Sequence, residues 1–267
     1  MKYKALLFDV DGTLFNSNHE ISKLTLEGIK KAYEKGIKIA VVTGRSPSGV
    51  KSVKDQLGFS VPFICSGGAI AFDNKGKIIY ENALGGKNTK DVIDYVKSLK
   101  IDALWNVYAN DKWYAEKLDD YRTRREEEIL CTKAETIDVN LIPSINIDKV
   151  MFIATDDVIS YLDIKLREEF KNFAIVRSQV IIVEVTANNV NKATAINSIL
   201  DEWKLDKNEI IAFGDSNNDL EMLDYVGVGV AMGNASDNVK NQSDYVTLDN
   251  DSDGIYYACL LYTSDAA

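Results

Sequence analysis

The apolar positions of the chain fall into two rhythms. Residues 4–9, Lys-Ala-Leu-Leu-Phe-Asp, are nearly continuous in apolar side chains and predict a buried strand. Leu26, Ile29 and Tyr33 then recur at helical spacing, with Ser22 placed to cap the start and Gly36 just past the end. Residues 37–43 predict a second strand, 50–57 a second helix and 62–65 a third strand. Two short apolar runs, 70–72 and 77–80, flank Asp73-Asn-Lys-Gly and predict a hairpin. Repeated strand–helix units with strands apolar on both faces imply a parallel sheet covered by helices on both sides.

From about residue 83 to 184 the rhythm changes. Strand candidates lie at 103–108, 112–115, 149–154, 173–176 and 180–185, and helix-like stretches at 87–99 and 157–170. The last two strands are only a few residues apart, which predicts an antiparallel hairpin. After this α+β stretch the first rhythm returns: helix at 190–203, strand at 209–214, helix at 219–225, strand at 228–231, short helix at 236–241 and strand at 245–247. The expected organisation is an α/β parallel-sheet domain made of 1–82 and 188–258, interrupted by an α+β domain at 83–187. Residues 259–267 resemble the translated end of a transposon sequencing adaptor and are expected to be a non-native tail, with Cys259 carrying no meaning.

Composition narrows the class. The chain has 267 residues, 46% hydrophobic and 27% charged, enough for one large core or two smaller ones. No apolar run approaches the roughly 20 residues of a membrane-spanning helix, and the N-terminus lacks a signal peptide's longer apolar core, so a cytoplasmic protein without membrane contact is expected. A formal charge of -10 opposes binding to nucleic acid. The three cysteines have no metal-like spacing, and the one histidine, His19, follows a polar turn and is expected on an exposed loop.

Four polar segments stand at the ends of predicted strands or at the helix that reopens the α/β pattern. Open parallel sheets bind ligands at the carboxyl ends of their strands. Asp9-Val10-Asp11-Gly12-Thr13 follows the first strand, and two carboxylates two residues apart can reach one pocket once the chain turns at Gly12. Thr43-Gly44-Arg45 follows the second, offering a hydroxyl and backbone N–H groups to phosphate oxygens. It is not a nucleotide P-loop, because Val50 stands where the lysine is required. Lys192 lies in the first turn of its helix, where the macrodipole disfavours it, so it is either a phosphate-neutralising group or a solvated surface lysine. Gly214-Asp215-Ser216-Asn217-Asn218-Asp219 crowds two carboxylates and two amides, donors that suit magnesium. A calcium loop is excluded there, since Leu220 replaces the required glycine. The Arg122–Arg125 cluster either forms a solvated helix face or meets a second anion.

Taken in order, these segments resemble the haloacid dehalogenase (HAD) superfamily of phosphotransferases. The middle stretch resembles the C2 (IIB) cap of its Cof-like sugar-phosphatase branch, and Val230-Ala-Met-Gly-Asn-Ala, Ser243-Asp-Tyr-Val-Thr and Asp253-Gly also match that branch. The resemblance implies a Rossmann-like parallel-sheet core with an inserted α+β cap. It also implies a magnesium-dependent phosphatase acting on a small phosphorylated metabolite through an aspartyl phosphate. On that basis Asp9 is the nucleophile and Asp11 the acid and then base. Magnesium is held by the Asp9 carboxylate, the Asp11 carbonyl and Asp215, with Asp219 supporting. Thr43, Gly44, Lys192, Asn218 and the Val10 backbone hold the phosphate, and Arg45 reaches toward cap or substrate. Two departures stand out: Ser66-Gly67-Gly68 where the branch has Asn-Gly, and Asn188-Asn189-Val190-Asn191 where a glycine is common. A phosphomutase of the same superfamily, such as a phosphomannomutase, would use the same Asp9 and Asp11. A non-catalytic phosphate-ligand sensor is the alternative from another class.

Overall fold

The structure is a computed structural model that describes residues 2–109, 112–130 and 132–263, with side chains to 260. The chain divides into two compact units: residues 1–44, 52–80 and 191–267, and residues 45–51 with 81–190.

The first unit opens with β1 (Ala5–Phe8), α1 (Lys23–Glu34), β2 (Lys38–Val42), α2 (Lys51–Leu57), β3 (Phe63–Cys65), β4 (Ile70–Phe72) and β5 (Ile78–Glu81). Ser22 caps α1 by accepting the Thr25 N–H at 3.0 Å, which contributes about 1 kcal/mol. Gly36 ends the helix with φ 86°, a conformation that costs glycine little. The second helix is preceded by a single 3₁₀ turn at Ser48–Val50, so its α-helical part starts one residue later than the sequence pattern implies.

The second unit then contributes α3 (Gly86–Ser98), β6 (Leu104–Ala109), β7 (Lys112–Ala115), α4 (Tyr121–Leu130), β8 (Lys149–Ile153), α5 (Asp156–Glu169), β9 (Phe173–Gln179) and β10 (Ile182–Ala187). The first unit is completed by α6 (Lys192–Trp203), β11 (Ile210–Gly214), α7 (Leu220–Tyr225), β12 (Val228–Ala231), α8 (Asp237–Asn241), β13 (Tyr245–Val246) and α9 (Gly254–Thr263). Of the tail singled out in the sequence, Cys259 is buried within α9, and residues 264–267 lie outside the described residues.

In the first unit the sheet order is β13-β12-β11-β1-β2-β3-β4-β5, with parallel pairing from β13 to β3 and antiparallel pairing of β3 with β4. Alternate residues face opposite sides. Ala5, Leu7, Ala40, Val42 and Ile64 pack with Ala195, Ile196 and Ile199 of α6 and with Met222 and Leu223 of α7. Phe8 and Phe213 stack with ring centroids 5.1 Å apart. The carboxyl ends of β1, β2 and β11 therefore stand side by side, which brings the polar segments that follow them to one edge of the sheet.

In the second unit an antiparallel sheet runs β7-β6-β8-β10-β9. Its core packs Val92, Ile93 and Val96 of α3 and Ile159, Leu162 and Leu166 of α5 against Trp105, Val107, Val150, Phe152, Val183 and Val185 of the sheet. The strand expected at 173–176 continues to Gln179, because backbone pairing with β10 carries it through exposed Arg177, Ser178 and Gln179. Apolar patterning cannot report such an edge.

The charged run at 122–128 falls in α4, and here one expectation needs correction. Arg124 and Arg125 are exposed, as a solvated helix face requires, but Arg122 is buried. Its guanidinium reaches Asp120 at 2.8 Å and Asp102 at 3.0 Å. Asp120 also accepts the Arg122 N–H at 2.9 Å, tying down the first turn of the helix. Hydrogen bonds from Arg122 hold the Asp120 carboxyl down at about 2, against the opposing effect of partial burial. His19 is exposed on its loop, as expected. Among the described residues no helix is long and apolar enough to cross a membrane.

Replacing Asp120 by Asn should destabilise the second unit, and the pH dependence follows from the depressed Asp120 carboxyl. Its contribution is complete above the unfolded value of about 4 and disappears as the pH falls through about 2. Urea denaturation across this range should show the gap between wild type and Asp120→Asn closing on acidification.

Candidate active site

The turn after β1 builds the floor of the site. The Asp9 N–H donates to the Phe213 carbonyl at 3.0 Å, continuing the β1–β11 pairing to the strand end. A β-turn then closes from the Thr13 N–H to the Val10 carbonyl at 3.3 Å. Its third residue, Gly12, has φ 79°, a region suited to glycine. A side chain there would also collide, because a Cβ would stand 2.4 Å from Asp215 Oδ2. The Thr13 hydroxyl donates to Asp215 Oδ1 at 2.9 Å, so this turn and the loop after β11 are locked to each other.

The loop after β11 is organised by Asp219, which is fully buried. Asp219 Oδ2 accepts the N–H groups of Asp215 at 3.1 Å and Ser216 at 3.0 Å, together with the Ser216 hydroxyl at 3.1 Å. This is a capping box, in which Ser216 and Asp219 satisfy each other's backbone donors at a helix start. Asp219 Oδ1 accepts from Lys192 Nζ at 2.5 Å, and the same ammonium donates to Asp9 Oδ1 at 2.6 Å.

Lys192 enters from the first turn of α6, whose N-cap, Asn191, accepts the Thr194 N–H at 2.8 Å. The Ser66-Gly67-Gly68 loop braces this helix start. A Cβ on Gly68 would lie 2.1 Å from the Asn191 carbonyl oxygen, so only glycine lets the two backbones meet. Lys192 is 1% exposed, which removes the reading of a solvated surface lysine.

Three carboxylates share this space with one ammonium. Asp9, Asp215 and Asp219 each offer an oxygen within 4.8 Å of the others. Burial first, and then the Asp219 charge, push the Asp9 carboxyl well above the ordinary carboxylate range, against the pull of Lys192. Burial and the Asp219 charge also lift the Asp215 carboxyl, to about 6. Burial alone would pull the Lys192 ammonium down, but Asp219 and Asp9 outweigh it and hold it above its usual value. The cluster thus carries more negative charge than its lysine balances. Hard oxygen donors in that state fit a divalent cation. Asp9 and Asp215 are the more open ligands, since both Asp219 oxygens already accept bonds.

The other residues singled out in the sequence are placed as follows. Val10 is buried in the first turn and Asp11 is exposed beside it. Asp11 is not among the three clustered carboxylates. Thr43 is buried at the end of β2, its N–H on the Ile64 carbonyl at 2.8 Å and its carbonyl accepting from Gly67 at 3.0 Å. Gly44 faces open space. Asn218 is exposed, and its carbonyl oxygen accepts from the Ser216 hydroxyl. Arg45 belongs to the second unit, where its guanidinium donates to the Gly49 carbonyl at 3.2 Å. Sequence reasoning passed over Thr13 as a site residue, although it closes the Asp-x-Asp-Gly-Thr run. It also passed over Asn234, whose amide donates to the Gly12 carbonyl at 2.8 Å. The strand-end rule applied to β12 would have pointed to Asn234, three residues past that strand.

Known proteins are similar to this chain along nearly all of its length. Residues 6–259 match the family model of haloacid dehalogenase-like hydrolases. The chain belongs to that family. This HAD-like hydrolase is 28% identical over 279 residues to a Bacillus subtilis protein, 5-amino-6-(5-phospho-D-ribitylamino)uracil phosphatase YwtE, covering 95% of this chain and 96% of the relative. A solved Thermotoga maritima structure is 30% identical and superposes with a TM-score of 0.88 over 98% of both chains. A HAD subclass IIB sugar phosphatase, 25% identical, superposes with a TM-score of 0.84 over 97% of this chain and 99% of that one. The HAD-like hydrolase is a phosphatase of the Cof-like branch, with a parallel-sheet core and an inserted α+β unit.

Gly68→Ala should displace the start of α6 and with it Lys192, because the new Cβ meets backbone and the φ of 107° is strained for alanine. A loss of about 2–4 kcal/mol in urea denaturation is expected, together with reduced phosphate release.

Proposed function

We propose that the protein hydrolyses small phosphorylated metabolites, sugar phosphates or similar, through an aspartyl phosphate formed on Asp9 with the help of magnesium. The observation that carries this reading is the buried ammonium of Lys192, 2.6 Å from Asp9 Oδ1 within the three-carboxylate cluster. Nucleophile, cation and candidate metal ligands are thereby fixed before any substrate arrives. Such fixed charge favours phosphoryl transfer, which depends on positioning and neutralisation.

In the first step an Asp9 carboxylate oxygen attacks phosphorus. The bond to the leaving oxygen breaks, and that oxygen takes a proton from Asp11. In the second step water attacks the same phosphorus and gives a proton to Asp11. Inorganic phosphate leaves and the Asp9 carboxylate is restored. Asp11 suits both proton transfers because it lies two residues along the chain from the nucleophile, with an exposed side chain outside the carboxylate cluster.

Thr43, the Gly44 N–H, the Val10 N–H, Lys192 and Asn218 are the groups that hold the phosphoryl oxygens in this reading. Lys192 also orients Asp9, while Asp219 holds Lys192 from behind. Arg45 is the group that reaches toward cap or substrate in this reading. Asp9, Asp215 and the Asp11 carbonyl would hold magnesium, with Asp219 supporting them. Bound there, magnesium would offset the mutual repulsion of Asp9 and the phosphate. The B. subtilis relative named for a phosphorylated ribityl compound and the structural relative named a sugar phosphatase support a small polyol or sugar phosphate as substrate.

Phosphate release from a panel of phosphorylated metabolites, with magnesium and with EDTA, tests the reading. Release should require magnesium and fall by roughly a thousandfold or more in Asp9→Asn. Metal-dependent release that persists in Asp9→Asn would remove Asp9 as nucleophile. Magnesium should also raise the melting temperature of the wild type but not of Asp215→Asn, since a ligand that binds only the folded state stabilises it.

A further inference from the structure

Asn218 is one of the groups assigned to hold a phosphoryl oxygen, and only one end of its side chain can do so. The amide N–H groups can donate to that oxygen, whereas the carbonyl would set its lone pairs against it. The two ends have nearly the same shape, so packing cannot choose between them. A hydrogen bond can. Among the described residues the Asn218 side chain has one such bond, from the Ser216 hydroxyl to its carbonyl oxygen. That bond occupies the accepting end and leaves the N–H groups of this exposed residue to donate elsewhere.

We propose that Ser216 is a positioning residue, whose hydroxyl turns the Asn218 amide so that its N–H groups are the end offered to phosphate. Ser216 suits the task because its own place is fixed. Its N–H donates to Asp219 Oδ2 at 3.0 Å, within the capping box that starts the turn Asn217–Asp219. Its hydroxyl has one proton to give and two acceptors in reach, Asp219 Oδ2 at 3.1 Å and the Asn218 carbonyl, which is the nearer. Asp219 Oδ2 already accepts the N–H groups of Asp215 and Ser216, so the proton is directed chiefly to Asn218. The backbone of the turn is tied separately. Asn217 Oδ1 accepts the Asn238 amide of α8 at 3.0 Å, and the Asn238 oxygen accepts from Gln242 at 2.9 Å. The rotation of the Asn218 amide is the freedom that remains, and Ser216 removes it. Asp219 thereby governs two phosphate-binding donors at once. Through Oδ1 it holds Lys192 directly, and through Oδ2 and Ser216 it sets Asn218.

The role rests on the assignment of Asn218 to the phosphate, and it requires coupling between the two residues. Calorimetric titration with inorganic phosphate, magnesium present, reads that coupling in wild type, Ser216→Ala, Asn218→Ala and the double variant. Ser216→Ala should weaken phosphate binding about fivefold, part of the worth of one hydrogen bond to a charged group. In the Asn218→Ala background the same substitution should change affinity by less than about 1.5-fold, because the group it orients is gone. Ser216→Thr keeps the hydroxyl and should bind within about twofold of wild type. Loss of the capping box should lower the urea midpoint of Ser216→Ala by the same amount whether Asn218 is present or not, so stability and phosphate affinity part company. Equal weakening of phosphate binding in both backgrounds would overturn the positioning role and leave Asn218 at the phosphate. Unchanged affinity in Asn218→Ala would remove Asn218 from the phosphate site and the role of Ser216 with it, as would a wild type that binds no phosphate. A wild type that binds phosphate yet releases none from any ester would count against Asp9 as nucleophile and not against Ser216.

Discussion

Lys192 is a buried cation, 1% exposed, gripped between Asp9 just after the first strand and Asp219 from the loop after β11. An ammonium taken out of water is stable only where carboxylates replace the lost solvation. Those carboxylates come from segments 183 and 27 residues away in sequence. The ion triad therefore exists only once β1, β11 and α6 have all docked. It also sets the electrostatics around it, since burial keeps the Asp9 and Asp215 carboxyls above the ordinary carboxylate range even with the lysine present. Deleting one partner would leave an uncompensated charge in the interior, a larger penalty than the worth of any one bond.

Glycines make this crowding possible. Gly12 admits Asp215, and Gly68 lets the backbone before Lys192 approach. At Gly214 a Cβ would lie 2.5 Å from that of Asp219, so this position too is reserved for the carboxylate. The site is thus bounded by backbone on several sides. Backbone yields less than side chains do, which gives a fixed arrangement of charge without a large set of supporting side chains.

The loops that follow β12 and β13 extend this logic outward. They hold no nucleophile and no clustered carboxylate, yet their amides and carboxylates reach the Gly12, Phe15 and Ser17 backbone. Polar contacts of this kind are weak singly, on the order of 1 kcal/mol, but directional.

Much was legible in the sequence because it depends on local patterns. The helix from Ser22 to Gly36, the buried strands and the strand-end carboxylates all follow from periodicity, capping and turn chemistry over a few residues. What stayed hidden depends on pairing across distance. Arg122 could be read as solvated because its partners are defined only when α4 folds beside Asp102 and Asp120. Strand β9 ran on past its apolar residues because its partner strand carried it. Lys192 could be read as a phosphate-neutralising group or as a surface lysine until the fold surrounded it. By itself the sequence determined which residues stand at strand ends, since periods of 2 and 3.6 are written in neighbouring side chains. Only the tertiary structure decided which of those residues share a proton, a cation or a hydrogen bond. Burial and Coulomb energy depend on separations in space, and these arise only when segments remote along the chain meet.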